Sequence, residues 1–554
     1  MAMKEKPQTV QVKNGICWKN SFESFKVTVY VPQADEKLKS DILNYGFIAP
    51  YILIFATEDY SFEQAVEFAD KNNFTKLATD FASSVVFVYP LADGGWKNAS
   101  KNLFSEIISN SKIHEYYENG FINNWNRFTK QIDGHYIRGA IFRTCLFGFK
   151  ESADYIAQNC INHFEGDGLW GRSDLAPVTC FLSGLSVEPV ISSDDIPLVS
   201  YENSKQIEEI IKKKAKYNLC KEKEDFYEDF YSFARKFRRM NGPLIIDEDV
   251  EKDGLIREPG IAEVKTSSDN NGDDKGTVNH KIGYFAFYNK GLLDKGPLPL
   301  VLGFHGGGDS CFFFSIMAGW AKIAHRHNFL LVTVENHLNS TATEMIEFVE
   351  LLKKKYPIDE SRIYATGFSM GGIKTWDIIQ EYPLMIAAAA PMDATVDIGE
   401  NVYFQKIQKP YNTTVSVPVF YAGGEITPLP ELPFQEQKCL NRMKYALELN
   451  KTQKEYNLSL KNKDSWENKI WGIDGDFCIK KYDETRNSNL TMQIFKNKDE
   501  KIYNVFASIS DQGHDCREHT CEHAWRFMSH FSRNKDGTIN GDETDEILES
   551  LKRN

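Results

Sequence analysis

A serine set between glycines is the first candidate for chemistry in this chain. Residues 367–371 read GFSMG, with Ser369 at the centre. The apolar run before the serine predicts a strand and the run after it predicts a helix, which is the context of a nucleophile elbow. Gly367 and Gly371 remove side chains that would collide with the backbone in so tight a turn. The motif predicts that Ser369 is a nucleophile, and the alternative is a chance pentapeptide in an ordinary turn.

Acyl transfer at a serine also needs donors for the oxyanion that develops on the substrate. Residues 305–308 read HGGG and follow the apolar run 299–304 (PLVLGF). We expect backbone N–H groups of Gly306 and Gly307, with that of Met370, to face the oxyanion, and His305 to orient this loop. The alternatives are a loop that only reverses the chain and a phosphate-binding loop, but a phosphate-binding loop would continue with Gly-Lys-Ser/Thr.

The general base is expected late in the chain, after the acid. His514 lies in the turn 511–515 (DQGHD), directly after an apolar strand pattern at 503–509. Three further histidines follow, at His519, His523 and His530, within a predicted helix that carries an aromatic face. The sequence therefore favours His514 as the base and the other three as helix-surface or core residues.

The acid that orients the base has three candidates. Glu425 follows the apolar strand pattern 417–422 and a pair of glycines, and it is the first choice. Glu431 in the turn 428–433 (PLPELP) is the second, and Asp393, after the apolar run 386–390, is the third. Any one of these carboxylates could instead be an ordinary surface residue.

The three separated motifs carry a family resemblance. Residues 299–308 (PLVLGFHGGG), residues 362–372 (RIYATGFSMGG), and Gly513-His514 followed by an aromatic helix resemble the esterases related to poly(3-hydroxybutyrate) depolymerases and feruloyl esterases. The resemblance covers roughly residues 280–533. It implies an α/β-hydrolase fold and a serine carboxylic ester hydrolase that uses an acyl-enzyme and no metal or organic cofactor. It also implies plant-wall aryl or acyl esters, or polyester, as substrates, either small molecules or linked to a polymer. The acid departs from the usual pattern, since Glu425 replaces the commoner Asp.

The two halves of the chain repeat the same succession of elements. Five pairs of segments align in order: 25–32 with 281–288, 50–56 with 299–305, 84–90 with 329–335, 140–158 with 362–380, and 196–204 with 417–425. Short apolar strands that alternate with helical segments predict βαβ units and a mainly parallel sheet. The sequence therefore predicts two tandem, doubly wound α/β-hydrolase-like domains.

The first half lacks the residues that carry chemistry in the second. At the elbow, Gly148-Phe149-Lys150 matches Gly367-Phe368-Ser369, so that Lys150 stands in the place of the serine, and residues 55–58 (FATE) replace the oxyanion loop. A lysine there has no paired base, and Glu58 would repel an oxyanion. We expect a degenerate, non-catalytic domain at 1–205, a helical linker at 206–255 and a catalytic domain at 256–554.

The composition of the chain limits which binding partners and which cellular compartment are expected. The 554 residues carry a formal net charge of −13 with Lys and Glu interleaved, so no basic patch for nucleic acid is expected. No apolar run reaches the roughly 20 residues that cross a bilayer, and the start of the chain is too polar for a signal peptide. The chain is thus expected to be soluble and cytoplasmic as given, or secreted if a leader was removed.

Two local features bear on metal and redox chemistry. The 10 cysteines are expected to be reduced thiols, although Cys516 and Cys521 lie close enough for a local bridge in an exported protein. Residues 532–543 resemble an EF-hand loop but begin with Ser532 instead of Asp, so a plain polar turn is favoured over a calcium site.

Two other functions compete with an esterase. A serine peptidase of the prolyl-oligopeptidase kind would carry an N-terminal propeller, whereas residues 1–205 alternate between strand and helix patterns. A non-catalytic polysaccharide-binding protein would suit the 13% aromatic content, but aromatic residues at that level also fill two ordinary cores. The complete set of Ser, His and HGGG in the second half favours the enzyme.

Overall fold

The structure is a computed structural model that describes residues 9–32, 50–81, 83–110, 140–161, 177–191, 196–239, 244–246, 250, 252–265, 279–307, 311–335, 337, 340–394, 396–401, 406–407 and 410–553. Within these residues the chain divides into two units, and the boundary lies between residues 248 and 249. Among the helices described, none is long and apolar enough to cross a membrane.

The first unit is built on a single large sheet. Its strands are β1 (Thr9–Val12), β2 (Gly15–Ser21), β3 (Phe25–Pro32), β4 (Pro50–Phe55), β5 (Val85–Pro90), β6 (Ala140–Phe149), β7 (Thr179–Ser183), β8 (Leu198–Tyr201) and β9 (Asn218–Lys221). They lie in the order β1-β2-β3-β5-β4-β6-β7-β8-β9. The pairs from β1 to β5 are antiparallel and those from β5 to β9 are parallel. A separate hairpin joins β10 (Phe237–Arg239) to β11 (Leu244–Ile246).

Helices cover both faces of this sheet. They are α1 (Phe62–Lys71), α2 (Phe74–Asp80), α3 (Leu103–Asn110), α4 (Glu151–Asn159), α5 (Lys205–Lys214) and α6 (Phe226–Ser232). Side chains alternate along β4, so that Ile52 and Ile54 join one core with α1, α2 and α6. Leu53 and Phe55 join the core on the other face, with α3, α4 and α5. The unit is therefore doubly wound.

The second unit repeats this plan with a larger sheet. Its strands are β12 (Leu255–Lys265), β13 (Asn279–Asn289), β14 (Leu298–Phe304), β15 (Leu330–Val334), β16 (Ile358–Phe368), β17 (Ala388–Met392), β18 (Val419–Gly424), β19 (Phe477–Asp483), β20 (Ser488–Lys496) and β21 (Ile502–Ile509). The order is β12-β13-β15-β14-β16-β17-β18-β21-β20-β19. All pairs from β15 to β21 are parallel, and β12, β13, β19 and β20 are antiparallel to their neighbours. A small hairpin of β22 (Phe531–Arg533) and β23 (Ile539–Gly541) follows.

The helices of the second unit also lie on two faces. They are α7 (Cys311–Met317), α8 (Trp320–His327), α9 (Ala342–Lys355), α10 (Met370–Glu381), α11 (Gln437–Leu449), α12 (Glu518–Met528) and α13 (Thr544–Lys552). Leu302 and Phe304 of β14 share a core with α9, α10 and α11. A side chain at Gly303, between them, would point at Phe314 of α7 on the opposite face, and α8 and α12 also contact the central strands.

Eight strands correspond one to one between the sheets. The strands β2-β3-β5-β4-β6-β7-β8-β9 of the first unit match β12-β13-β15-β14-β16-β17-β18-β21 of the second. Numbered along the chain, both runs read 1-2-4-3-5-6-7-8 with the second strand antiparallel, which is the order of the α/β-hydrolase fold. The predicted fold class is confirmed, and each of the five aligned segment pairs falls on corresponding strands.

The predicted linker at 206–255 is wrong. β9 pairs with β8 and is the edge strand of the first sheet. It corresponds to β21 of the second sheet, which pairs with β18 in the same way. Ile207 and Ile211 of α5 and Phe226 and Phe230 of α6 are buried in the first unit's cores. The Lys/Glu-rich surface of these helices resembles a solvated connector, but the apolar stripe beneath it belongs to the domain.

Candidate active site

Ser369 sits at a strained turn between β16 and α10. Its backbone has φ 55° and ψ −118°, a conformation that costs a non-glycine residue about 1 to 3 kcal/mol. Two hydrogen bonds hold it: the Ser369 N–H donates to the Met392 carbonyl at 3.0 Å, and the Ile373 N–H donates to the Ser369 carbonyl at 3.0 Å. The turn thereby presents the hydroxyl at the carboxyl end of the central strand.

The flanking glycines are required by close backbone approaches. A Cβ at Gly367 would collide with the backbone of Gly371, and a Cβ at Gly371 would collide with the carbonyl oxygens of Phe304 and His305. The elbow is therefore packed against the end of β14, which brings the serine next to the loop that follows that strand.

His514 reaches Ser369 from the loop after β21. Its Nε2 lies 2.8 Å from the Ser369 Oγ. The imidazole packs on the Phe368 ring, with 4.7 Å between the centroids, and only 10% of the side chain is exposed. The other ring nitrogen, Nδ1, contacts a carboxylate oxygen of Glu431. His514 thus connects a hydroxyl to a carboxylate, which is the arrangement of a serine-histidine-acid triad.

Glu431 is fully buried, and several hydrogen bonds hold it. Besides the contact with His514, its Oε1 accepts the Thr427 hydroxyl at 2.9 Å and its Oε2 accepts the Gly424 N–H at 3.2 Å. The backbone carbonyl of Glu431 accepts the hydroxyl of Tyr421. Burial raises the pKa of the carboxyl, and hydrogen bonds from Asp393, Thr427 and Gly424 act in the opposite direction. These bonds hold the carboxylate beside the Nδ1 atom of His514.

The choice of Glu425 as the acid is wrong. Its carboxylate accepts the hydroxyl of Ser508 at 2.8 Å, and its N–H donates to the carbonyl of Ile509 at 3.0 Å. Glu425 therefore continues the pairing of β18 with β21, and its side chain lies along the neighbouring strand. Glu431, the second candidate, reaches the histidine because the loop after β18 turns back over the strand end.

Asp393, the third candidate, lies beside Glu431. It follows β17 directly, has φ 50° and is 2% exposed. Its Oδ1 accepts the same Gly424 N–H as Glu431, at 3.1 Å. Two buried carboxyl groups therefore accept the same N–H, and one of them contacts the imidazole of His514.

The loop after β14 lies against the elbow. The His305 ring is completely buried, with Nδ1 2.7 Å from the Gly306 carbonyl and Nε2 2.9 Å from the Glu335 carbonyl. A Cβ at Gly307 would come within 2.7 Å of the Met370 sulfur, so the loop passes close to the start of α10. Gly308 lies outside the described residues. Both ring nitrogens of His305 thus face backbone carbonyls. Met370 is the first residue of α10, and the first N–H groups of a helix have no carbonyl partner within that helix.

The remaining downstream histidines have contacts of their own within or after α12. The Nδ1 of His523 faces the His519 carbonyl at 2.8 Å within α12, and burial lowers the pKa of His523 to about 4. The Nδ1 of His530 lies 2.6 Å from a carboxylate oxygen of Asp542. That these histidines have only structural roles stays a prediction.

The structure places the residues of both local features, the cysteine pair and the EF-hand-like segment. Cys516 and Cys521 are thiols whose sulfurs lie 3.6 Å apart, both beside the Met392 sulfur. Residues 532–543 lie in and beside the β22–β23 hairpin, in which Asp536 accepts the Thr538 N–H at 3.0 Å. Among the residues described, no group of three or more His, Cys, Asp or Glu could hold a metal ion.

Among the described residues, the first unit keeps the elbow but has no glycine loop after β4. Lys150, after β6, has φ 52° and ψ −116°, and its N–H donates to the Ser183 carbonyl at 2.8 Å, as Ser369 does to Met392. After β4, however, the Ala56 carbonyl accepts the indole N–H of Trp96 at 2.5 Å, where the second unit has its glycine loop. The histidines of this unit, at 114, 135 and 163, lie outside the described residues.

Comparison with known proteins finds limited similarity. No protein-family model matches the chain. A bifunctional acetylxylan esterase/xylanase, XynS20E of Neocallimastix patriciarum, is 28% identical over 136 residues, which are 23% of this chain and 19% of that protein. The match thus spans about a fifth of the relative's length.

Solved structures are similar only at low identity. The acetyl xylan esterase from Aspergillus awamori aligns with 49% of this chain and 99% of its own, at 12% identity and a TM-score of 0.31. A thermostable esterase aligns with 36% of this chain and 51% of its own, at 21% identity and a TM-score of 0.25. The fold assignment therefore depends on the strand order described above.

Proposed function

We propose that the second unit is a serine carboxylic ester hydrolase that works through an acyl-enzyme. The observation that carries this proposal is the position of His514, which joins the hydroxyl of Ser369 at 2.8 Å to the buried carboxylate of Glu431. Reactive serines in acyl transfer need such a base, since an isolated hydroxyl is a weak nucleophile near neutral pH.

In the acylation step, the Ser369 Oγ attacks the ester carbonyl carbon while His514 Nε2 accepts the hydroxyl proton. The carbonyl oxygen becomes an oxyanion, and the N–H groups of Gly307 and Met370 are the donors that we assign to it. When the intermediate collapses, the alkoxide leaves and takes the proton from His514. Glu431 holds the Nδ1–H tautomer and stabilises the imidazolium throughout.

Deacylation repeats these movements with water. His514 accepts a proton from the water as its oxygen attacks the acyl carbon, and the second intermediate releases the carboxylic acid. Ser369 recovers its proton from His514. At the end of the cycle Ser369 and His514 have returned to their starting protonation states.

The substrates that we propose are acyl esters of plant-wall polysaccharides, acetyl esters first and hydroxycinnamoyl esters second. Support comes from the 28% identity to a protein named for acetylxylan esterase and xylanase activities. The narrower resemblance to feruloyl esterases and poly(3-hydroxybutyrate) depolymerases stays a prediction. The doubly wound first unit, in place of a propeller, disfavours a peptidase of the prolyl-oligopeptidase kind.

A panel of esters tests this function. We expect hydrolysis of 4-nitrophenyl acetate and release of acetate from acetylated xylan, with slower cleavage of methyl ferulate. Ser369→Ala protein is the matched control for each substrate. A protein that cleaves peptide substrates and none of these esters would contradict the proposal.

We further propose that the first unit contributes no chemistry. Lys150→Gly should leave ester hydrolysis unchanged and stabilise the first unit by about 1 kcal/mol, because glycine tolerates the positive φ while adding some entropy to the unfolded chain. Lys150→Ala keeps the strain and serves as the control, with no gain expected. Thermal unfolding and steady-state kinetics measure both effects.

A Lys150→Ala variant that loses activity at an unchanged melting temperature would contradict the assignment of a non-catalytic first unit.

A further inference from the structure

The acid side of the triad contains one carboxyl group more than the proposed mechanism uses. Asp393 and Glu431 follow different strands, β17 and β18, and both accept the N–H of Gly424, at 3.1 Å and 3.2 Å. Asp393 is 2% exposed and Glu431 is 0% exposed. Two ionised carboxylates that are both buried and share one N–H donor would repel each other strongly.

Charged groups of the described residues around the pair have partners of their own. Arg442 is a buried cation near Glu431, and its guanidinium donates to the Tyr421 hydroxyl at 3.0 Å and to the carbonyls of Ala394 and Val396. Asp515, on the loop that carries His514, is paired with Arg517 at 3.0 Å. The Cys516 thiol, close to Asp393, stays protonated because its bond to Cys521 and its burial raise its pKa well above the usual value.

We propose that Asp393 is a positioning residue that keeps its proton and donates it to Glu431, so that Glu431 alone carries the negative charge facing His514. This inference rests on the proposed function, because it assigns Asp393 a part in orienting the same triad. The bond would add to those from Thr427 and Gly424 that hold the Glu431 carboxylate, with the Gly424 N–H bridging the two acids.

The direction of the pKa shift agrees with this geometry. Burial, followed by the charge of Glu431, raises the pKa of Asp393 well above its usual value, and the hydrogen bond acts in the same direction. The native state therefore binds a proton that the unfolded state releases above its carboxyl pKa, near 3.8. Stability from this group is complete below that value and declines as the pH rises toward the raised pKa of the folded state.

Asp393→Asn and Asp393→Ala separate the possible roles. Asparagine keeps a donor for Glu431 and an acceptor for Gly424 but never ionises, so we expect kcat within about threefold of the wild type, whereas alanine should lower kcat about tenfold or more with KM unchanged. The melting temperature of Asp393→Asn should exceed that of the wild type by a margin that grows as pH rises from 5 to 9.

Labelling of Ser369 by a fluorophosphonate, followed against pH, gives a second readout that needs no ester substrate. The labelling rate of Asp393→Asn should follow the wild type, and that of Asp393→Ala should fall. Loss of labelling in Asp393→Asn as severe as in Glu431→Gln would mean that Asp393 carries the charge. Unchanged rates in Asp393→Ala, or a melting difference independent of pH, would also overturn the inference. Failure of the proposed function would appear differently, as a wild type that neither labels nor hydrolyses.

Discussion

Ser369→Ala is expected to lower kcat for 4-nitrophenyl acetate by roughly 10⁴- to 10⁶-fold, since removing the nucleophile leaves only binding and oxyanion stabilisation. Alanine has the same Cβ as serine and meets the same positive φ, so the melting temperature should change little. The measurement pairs steady-state kinetics with thermal unfolding of the same preparation.

Ser508→Ala is the matched control, because Ser508 lies on β21 of the same sheet and its hydroxyl donates to Glu425 rather than to the triad. We expect its activity within a few-fold of the wild type. A Ser369→Ala protein that keeps more than a few per cent of wild-type kcat would remove Ser369 from the mechanism.

Glu431→Gln should lower kcat by about 10³- to 10⁴-fold with little change in KM, because an amide facing Nδ1 favours the wrong imidazole tautomer and cannot stabilise the imidazolium. Glutamine is nearly the same size as glutamate, so the bond from Gly424 to the side-chain oxygen can persist. Kinetics on a small soluble ester, at several pH values, measure this effect.

Glu425→Gln provides the comparison at the other glutamate of the same loop. Its side chain is half-buried and bonds Ser508, so its kcat should stay within about threefold. If Glu425→Gln proves as damaging as Glu431→Gln, then the acid has been assigned to the wrong residue.

The features that the sequence predicts most directly are those set by local constraints. Ser369 stands out because the elbow demands glycine at 367 and 371, where a Cβ would meet backbone. The duplicated succession of strands along the chain stands out because strands buried on both faces appear as short apolar runs. His514 followed from its place after the last parallel strand.

Local constraints in the sequence do not identify which carboxylate orients His514. Glu425 stands nearer the strand end, but the loop from Thr427 to Glu431 decides which carboxylate meets Nδ1, and that path depends on tertiary packing. The prolines at 428 and 430 were a signal of a rigid turn, and Thr427 gave no signal of its own. That Asp393 and Glu431 meet follows from the shared edge at which β17 and β18 end.

The predicted linker at 206–255 is wrong for a related reason. The charged residues of α5 and α6 suggested a connector, and only their positions relative to β9 reveal the stripe of buried Ile207, Ile211, Phe226 and Phe230. A stripe of so few apolar residues carries little signal beside so many lysines and glutamates.

Mass-spectrometric mapping of a fluorophosphonate adduct tests the central claim most directly, since the probe reacts with a serine only when a base activates it. We predict one adduct, on Ser369, that is absent in Ser369→Ala and strongly reduced in His514→Ala, with His519→Ala and His523→Ala labelled like the wild type. An adduct on another residue, or an unlabelled Ser369 in folded protein that hydrolyses esters, would contradict the account.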